Sequence, residues 1–586
     1  MVDLKVEFGS VQETPTFFPE QEGLVEAVIT NDGNTQFDGS VDLAVYASID
    51  SQLEKNDLNV NESGSLDELD GQDEILSGGG GNNPIGTVTF NEINLAPGES
   101  QTVNLDFTSS DLRTASVVSP GAYFLIAEVD PNNTIPESNE DNNIAQGDNS
   151  QFISTDGTNV VLDWNSVFLN AVQKSGVDSY GFDNNGPIGE LGTIPPVVPR
   201  NGAILHTAVY DAVNAFSQEF QPYFVEDAAP DGASIEAAVV GAAFKVLSEL
   251  YPEQQAVFNA QRDRSLEEID DEQTAEDAGF DFGVNVAEQI IEFRKNDSAV
   301  PPSTEFEADD KPGAWKPIID GQPQTPVGPT IESVPPFLIP SVQQFRPDGP
   351  PQFGSPRFAR ETEETRKVGG IKDTEITDIN RSDEQTEIAQ FWSYDRTDTF
   401  RPPGQWNQIA QSLVLQEGED LSLVDTARLF ALLNISLTDA GVVSWDAKFD
   451  FQQLRPEQTI NAEDAITGIP GGVDFDGNET SIEDPNWDPL IETPAFPDYT
   501  SGHAAFGGAA TEIFRSFFGS DNISFEIPTQ EIPGLTRSFG SFSEAAEENS
   551  ESRVFGGIHI ISSSLEGEAS GVEIGKYVFD NALLPV

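Results

Sequence analysis

Apolar and polar positions alternate in short bursts through the first 150 or so residues. The stretches 4–8, 23–29, 41–49, 85–90, 102–107 and 123–129 have period two, the spacing of strands with one buried face. Turn residues separate them at sandwich-like intervals. One insertion, 51–84, is acidic, contains the glycine run 78–81 and reads as a mobile loop. From about residue 159 the period lengthens. The stretches 160–172, 200–216, 234–250 and 272–294 read as helices, and so do 383–392, 405–415 and 424–443. Pro and Gly punctuate 301–356, which reads as a long ordered loop. The pattern predicts two domains, an all-β sandwich over 1–155 and a mainly α-helical bundle over 156–586.

The formal net charge is −73, from 28 basic and 101 acidic residues. Such a field excludes nucleic acid and anionic membrane surfaces as bulk partners and favours cations, calcium among them. It also suits a salty medium, where screening weakens self-repulsion. There is no Cys and a single Met, so there is neither disulfide nor thiolate, and little sulfur for an oxidant to attack. That suits an enzyme that makes strong oxidants. No run approaches eighteen consecutive apolar residues, which predicts no membrane-spanning helix. The first residues lack a basic and then apolar leader, so no signal peptide is visible.

Three histidines are present. His206 lies in a plain helical pattern and reads as a packed helix residue. The other two lie in short segments rich in anion-binding chemistry. In 444–456, Ser-Trp-Asp-Ala-Lys-Phe-Asp-Phe-Gln-Gln-Leu-Arg-Pro, Lys448 and Arg455 stand seven apart, which on one straight helix puts both cations on one face. In 494–506, Pro-Ala-Phe-Pro-Asp-Tyr-Thr-Ser-Gly-His-Ala-Ala-Phe, Thr500 or Ser501 caps a helix. The free N–H groups of its first turn suit an anion. Gly502 permits close backbone approach, and His503 follows in that first turn. In 552–559, Ser-Arg-Val-Phe-Gly-Gly-Ile-His, Arg553 supplies a two-pronged donor. Its partner His559 is six residues on. Either the long Arg side chain or a bend at Gly556-Gly557 brings them together.

In order and spacing these segments resemble the signature shared by vanadium haloperoxidases and type 2 phosphatidic acid phosphatases. Thr500 departs from the usual Pro before Ser-Gly-His. Ser563 departs from the Asp often found four after the last His, which leaves open what holds the second ring nitrogen of His559. Trp445, Phe496, Asp439-Ala-Gly441 and the 391–395 run Phe-Trp-Ser-Tyr-Asp resemble the chloroperoxidase branch. The resemblance implies a helical haloperoxidase domain with vanadate as cofactor and His559 as the vanadium ligand. Lys448, Arg455, Arg553, Ser501 and Gly502 would hold the oxygens, and Lys448 would also polarise bound peroxide. His503 would be the acid–base residue, Asp395 would orient Arg553, and Trp445 and Phe496 would line the halide side. Hydrogen peroxide and halide would be the substrates, hypohalous acid the product and an organic halogen acceptor a further partner. Separately, the segment 130–143, Asp-Pro-Asn-Asn-Thr-Ile-Pro-Glu-Ser-Asn-Glu-Asp-Asn-Asn, with the strand before it, resembles the end of a CARDB domain. This is an immunoglobulin-like adhesion module. It implies a spacer or binding role, homo-oligomer or extracellular matrix contacts, and a location outside the cell or on its surface.

Two other functions fit the same residues. One is an acid phosphatase, with His559 as nucleophile and His503 as acid. The other is an extracellular structural protein on an inherited enzyme fold. Calcium is a further candidate ligand. Asp474, Asp476 and Asn478 alternate as at the start of a calcium loop, although position twelve of that loop is Pro485.

Overall fold

The computed structural model describes residues 1–13, 23–48, 86–107, 121–139, 142–146, 151–153, 159–179, 194–295, 297, 306–319, 322–396, 399–417, 421–461, 484–532 and 535–586. The insertion 51–84 and the calcium candidates Asp474, Asp476 and Asn478 lie outside the described residues.

The chain forms two compact units. The first comprises Met1–Phe182, Gln254–Arg264 and Pro528–Thr536. Its strands are β1 (Leu4–Glu13), β2 (Gly23–Asn31), β3 (Phe37–Ser48), β4 (Gly86–Leu95), β5 (Ser100–Phe107), β6 (Gly121–Val129), β7 (Ile144–Gln146) and β8 (Gln151–Ile153). One sheet runs β1-β2-β5 and the other β4-β3-β6-β7, with β8 also paired to β6. The inward positions of both sheets, among them Val6, Ile29, Leu43, Leu95, Leu105 and Val129, form one buried core. The expected all-β sandwich is therefore present, and it follows from period-two burial.

The second unit, Asp183–Glu253, Ser265–Ile527 and Arg537–Val586, is helical. Its longest helix, Leu423–Phe451, starts at a capping box between Ser422 and Asp425. Nearly every residue on it is buried, Arg428, Asp439 and Lys448 included. Among the described residues it alone has the length and composition of a membrane span, but its apolar window is buried inside the protein. The 301–356 region is irregular as expected, with only short elements in its described parts. Asp439 pins it by accepting backbone N–H bonds from Phe337, Leu338 and Ile339 at 2.6, 3.0 and 2.9 Å.

The Gly502–Phe518 and Ile561–Asn581 helices pack backbone to backbone. A Cβ on Gly571 would lie 2.1 Å from the Ala505 carbonyl oxygen, and one on Gly508 would lie 2.2 Å from that of Glu568. Side chains larger than hydrogen at these crossings would force the helices apart, and with them the residues at their N-termini.

His206 is a core residue, as its helical pattern predicts. It is 1% exposed on the Val197–Ser217 helix and stacks on Phe430 with centroids 5.0 Å apart. Burial pushes its pKa down to about 3. The unfolded chain therefore binds a proton that the fold excludes between about pH 6.5 and 3, and this residue's contribution to stability falls as pH falls through that window. A His206→Gln variant is expected to gain on the parent by about 1.4 kcal/mol per pH unit below pH 6.5. Urea unfolding at pH 7.5, 5.5 and 4.5 measures it, and a pH-independent difference would contradict it.

Candidate active site

Three chain breaks bring the cationic and imidazole groups of the second unit together. The first follows Lys448. The long helix stops at Phe451, and Gln452 takes a left-handed conformation at φ 49°. Arg455 then caps the separate Pro456–Ile460 helix. The expectation that Lys448 and Arg455 share a face of one helix is thus corrected: the chain turns between them, and they converge from two elements.

The second break is the irregular, bent approach to Ser501, whose hydroxyl accepts from the Ala504 N–H at 3.4 Å and caps the Gly502–Phe518 helix. The third is the bend after Arg553. The Phe542–Phe555 helix ends at Gly556, and Gly557 adopts φ 80°. A Cβ there would sit 2.3 Å from the Gly369 carbonyl oxygen, so the turn needs glycine. This bend, not reach along one helix, returns His559 toward Arg553.

A small pocket opens at this junction. Asp395, Gly502, His503, Arg553 and His559 line it together with Trp445, Phe496, Phe506, Pro195, Pro494 and Ile558. Arg553 Nη2 meets Asp395 Oδ2 at 2.6 Å, and its Nη1 donates to the Trp392 carbonyl at 3.1 Å. The second oxygen of Asp395 lies 3.1 Å from His503 Nε2. His503 Nδ1 is buried with no hydrogen-bond partner among the described residues. Trp445 and Phe496 lie 5.1 Å apart at 50°. The indole N–H donates to the Val327 carbonyl at 3.2 Å, which fixes the ring.

Lys448, Arg455 and Ser501 stand behind this lining. Lys448 Nζ donates to the carbonyls of Pro497 and Asp498, both at 3.1 Å, and to that of Thr500. It also lies 4.8 Å from the Phe496 ring centre. Arg455 donates to the Phe496 and Ile558 carbonyls at 2.8 Å each, and its Nη1 sits 3.2 Å from His559 Nε2. Its Nη2 is buried without a partner among the described residues.

Sequence reasoning missed Asp498. It is the sole acidic residue of 494–506 and is fully buried. One carboxylate oxygen meets His559 Nδ1, and the other accepts from the Ser563 hydroxyl at 2.8 Å. An acid between Pro497 and the Ser-Gly-His run is the signal that could have found it.

The electrostatics follow from burial. Burial pushes His503 down to about 4, with Arg553 reinforcing and Asp395 opposing. It pushes His559 well below its ordinary value, helped by Arg455 and Lys448. Both rings are neutral at pH 7. Burial pushes Asp498 up to about 6 against the pull of Arg455 and Lys448. Burial, and then Arg455 beside it, push Lys448 down, and burial brings Arg455 to about 10. Depressed cations of this kind are those that an anion would restore. The unpartnered Arg455 Nη2, the neutral His559 and the Gly502 backbone in the first turn of its helix together suit a tetrahedral oxyanion. They fit vanadate or phosphate. Among the described residues no three His, Cys, Asp or Glu side chains converge as a cation cage.

Comparison with known proteins agrees with this geometry. Residues 428–584 match the family model described as the VCPO second helical-bundle domain, and residues 1–147 match CARDB. A vanadium chloroperoxidase of Curvularia inaequalis is 27% identical over 494 residues, 69% of this chain and 78% of that protein. The chain is a homologue of the vanadium chloroperoxidases. Its N-terminal region carries a CARDB domain. The crystal structure of a bacterial vanadium-dependent iodoperoxidase is 25% identical with a TM-score of 0.58, covering 71% of this chain and 96% of that one. A bacterial vanadium-dependent chloroperoxidase shares the fold at 16% identity and a TM-score of 0.50, covering 68% and 94%. The vanadium haloperoxidase-type helical fold expected from the sequence is therefore present.

Proposed function

We propose that this protein is a vanadate-dependent haloperoxidase that oxidises halide with hydrogen peroxide to hypohalous acid. The observation that carries this reading is the mixed lining of the pocket. Two packed aromatic rings, Trp445 and Phe496, share one pocket with His503, Arg553 and His559. An oxyanion alone needs only the imidazole and guanidinium groups; the aromatic rings suit a polarisable, weakly hydrated halide.

When bound, vanadate supplies a Lewis-acid centre that activates peroxide toward halide. The residues that would hold it are His559 through Nε2, with Arg455, Arg553, Ser501 and the Gly502 N–H around its oxygens. Lys448 orders the 497–500 backbone and adds positive charge beneath. His503 is the proton carrier. Asp395 fixes its Nε2 side as the N–H, which leaves Nδ1 to take a proton from peroxide and return it. Its depressed pKa keeps it neutral, and so able to accept, at pH 5 and above. All six tryptophans and all three histidines are buried, and Met1 is the one thioether. Such a chain presents few groups to its own oxidising product. The CARDB domain and the net charge of −73 support work outside the cell or at its surface, where the domain would make matrix or self contacts.

Purified protein, bromide, hydrogen peroxide and monochlorodimedone provide the test. Bromination is expected to require added orthovanadate and to fall at least tenfold in excess phosphate, which competes for the same cradle. Hydrolysis of p-nitrophenyl phosphate without any bromination would move the assignment to the phosphatase branch, which uses the same oxyanion site without a halide.

A further inference from the structure

We infer that Asp498 is the positioning residue for His559, and that Ser563 is matched to it: the carboxylate that orients this imidazole comes from the irregular segment leading to Ser501, not from the helix after His559. The inference rests on the proposed function only in taking His559 as the residue that holds the oxyanion.

Asp498 has no solvent exposure, and each of its polar groups is engaged. Its N–H donates to the Gln453 carbonyl at 3.0 Å, and its own carbonyl accepts from Lys448 Nζ at 3.1 Å. Its carboxylate spans His559 Nδ1 and the Ser563 hydroxyl. One residue thus ties the cationic floor to the imidazole. The contact also fixes the tautomer. A carboxylate accepts only, so Nδ1 carries the hydrogen and Nε2 keeps its lone pair, on the side where Arg455 Nη1 donates at 3.2 Å.

Ser563 follows from the same geometry. It sits four residues after His559, in the first turn of the Ile561–Asn581 helix, and its hydroxyl donates to the second carboxylate oxygen of Asp498 at 2.8 Å. An acid at 563 would set two buried carboxylates against each other. A chain with Asp498 therefore favours a small donor at 563, and a chain without Asp498 needs the acid at 563 instead.

The test uses the full chain with ¹⁵N-labelled histidine. Three imidazoles give few enough signals to assign with His206→Gln and His503→Gln variants. In the vanadate-free parent, His559 is expected to show one fixed Nδ1–H form. Asp498→Ala is expected to lose that form and to weaken orthovanadate binding 10–100-fold in equilibrium dialysis, the range for loss of a ligand-orienting partner. Asp498→Asn keeps an acceptor oxygen and is expected to hold the tautomer with an intermediate affinity. Asp498→Ala combined with Ser563→Asp is expected to recover both readouts to within a few-fold. An unchanged His559 tautomer and affinity in Asp498→Ala would overturn the inference. If Asp498→Ala does not fold, failure of the double variant to fix the tautomer would overturn it. A tautomer that depends on Asp498 in a protein that binds no vanadate would keep this inference and reject the haloperoxidase reading.

Discussion

His559→Ala is expected to remove vanadate-dependent halogenation, with turnover lowered by more than about a thousandfold, some 4 kcal/mol of transition-state stabilisation. Orthovanadate should no longer be retained on dialysis. The reason is scarcity. Of the three histidines, His206 is stacked in the core and His503 is engaged with Asp395. There is no cysteine, and no other cluster of ligating side chains exists among the described residues. No second neutral nitrogen is therefore placed to replace the lost Nε2. The cations remain, so phosphate and vanadate should still bind weakly as anions. The fold should survive at a cost of about 1–3 kcal/mol, because Asp498 loses its imidazole partner but keeps the Ser563 hydroxyl and the Ile560 N–H. Circular dichroism and thermal melting check that survival. A variant that stays folded and keeps a tenth of the parent turnover would show that the oxyanion is held elsewhere.

The chain announces its elements where burial is periodic and hides them where it is not. The strands of the first unit alternate cleanly, because one face meets the opposite sheet and the other meets water. The helices 200–216, 234–250 and 272–294 were legible to within a few residues of Val197–Ser217, Ile235–Leu250 and Gln273–Arg294. The Pro356–Gly369 helix does not stand out, since its run of Arg, Glu, Thr and Lys offers few apolar positions. Nor does Ile561–Asn581, whose contact face is built from Gly and Ser rather than large apolar groups. At the site, the residues inside short motifs were legible, because capping and glycine chemistry act within a few positions. What joins the motifs was not. No local pattern marks Gln452 as the point where the helix carrying Lys448 reverses. Asp498 meets a histidine 61 residues away, and Asp439 meets a loop about 100 residues before it. Such contacts are products of packing, and in a sequence so rich in acids only its place between Pro497 and the Ser-Gly-His run sets Asp498 apart.

Asp395 is the position where a change should cost both stability and turnover. Its two oxygens serve two partners, Arg553 at 2.6 Å and His503 at 3.1 Å. Asp395→Ala takes from the fully buried Arg553 guanidinium its carboxylate partner at 2.6 Å. Removing one member of a buried ion pair costs about 3–5 kcal/mol; the 24% exposure of the Asp395 side chain argues for about 3. Asp395→Asn is the sharper probe. An amide has one acceptor oxygen where a carboxylate has two, so either Arg553 or His503 must face an NH₂ group. Bromination by Asp395→Asn is expected to fall about 10²–10³-fold, the range for displacing a general base and a charge-stabilising donor together. The pH dependence distinguishes charge from shape. Burial alone would raise the Asp395 carboxyl, yet His503 and Arg553 hold it well below the usual carboxylate range. A depressed carboxylate contributes stability that is fully present above its unfolded value, near 3.9, and is lost as pH falls toward the folded value. The stability gap between parent and Asp395→Asn should therefore be flat from pH 7 to about 4.5 and should narrow below about 4. A gap that persists undiminished at pH 3 would mean that Asp395 acts through shape alone, and that Arg553 draws its counter-charge from another group.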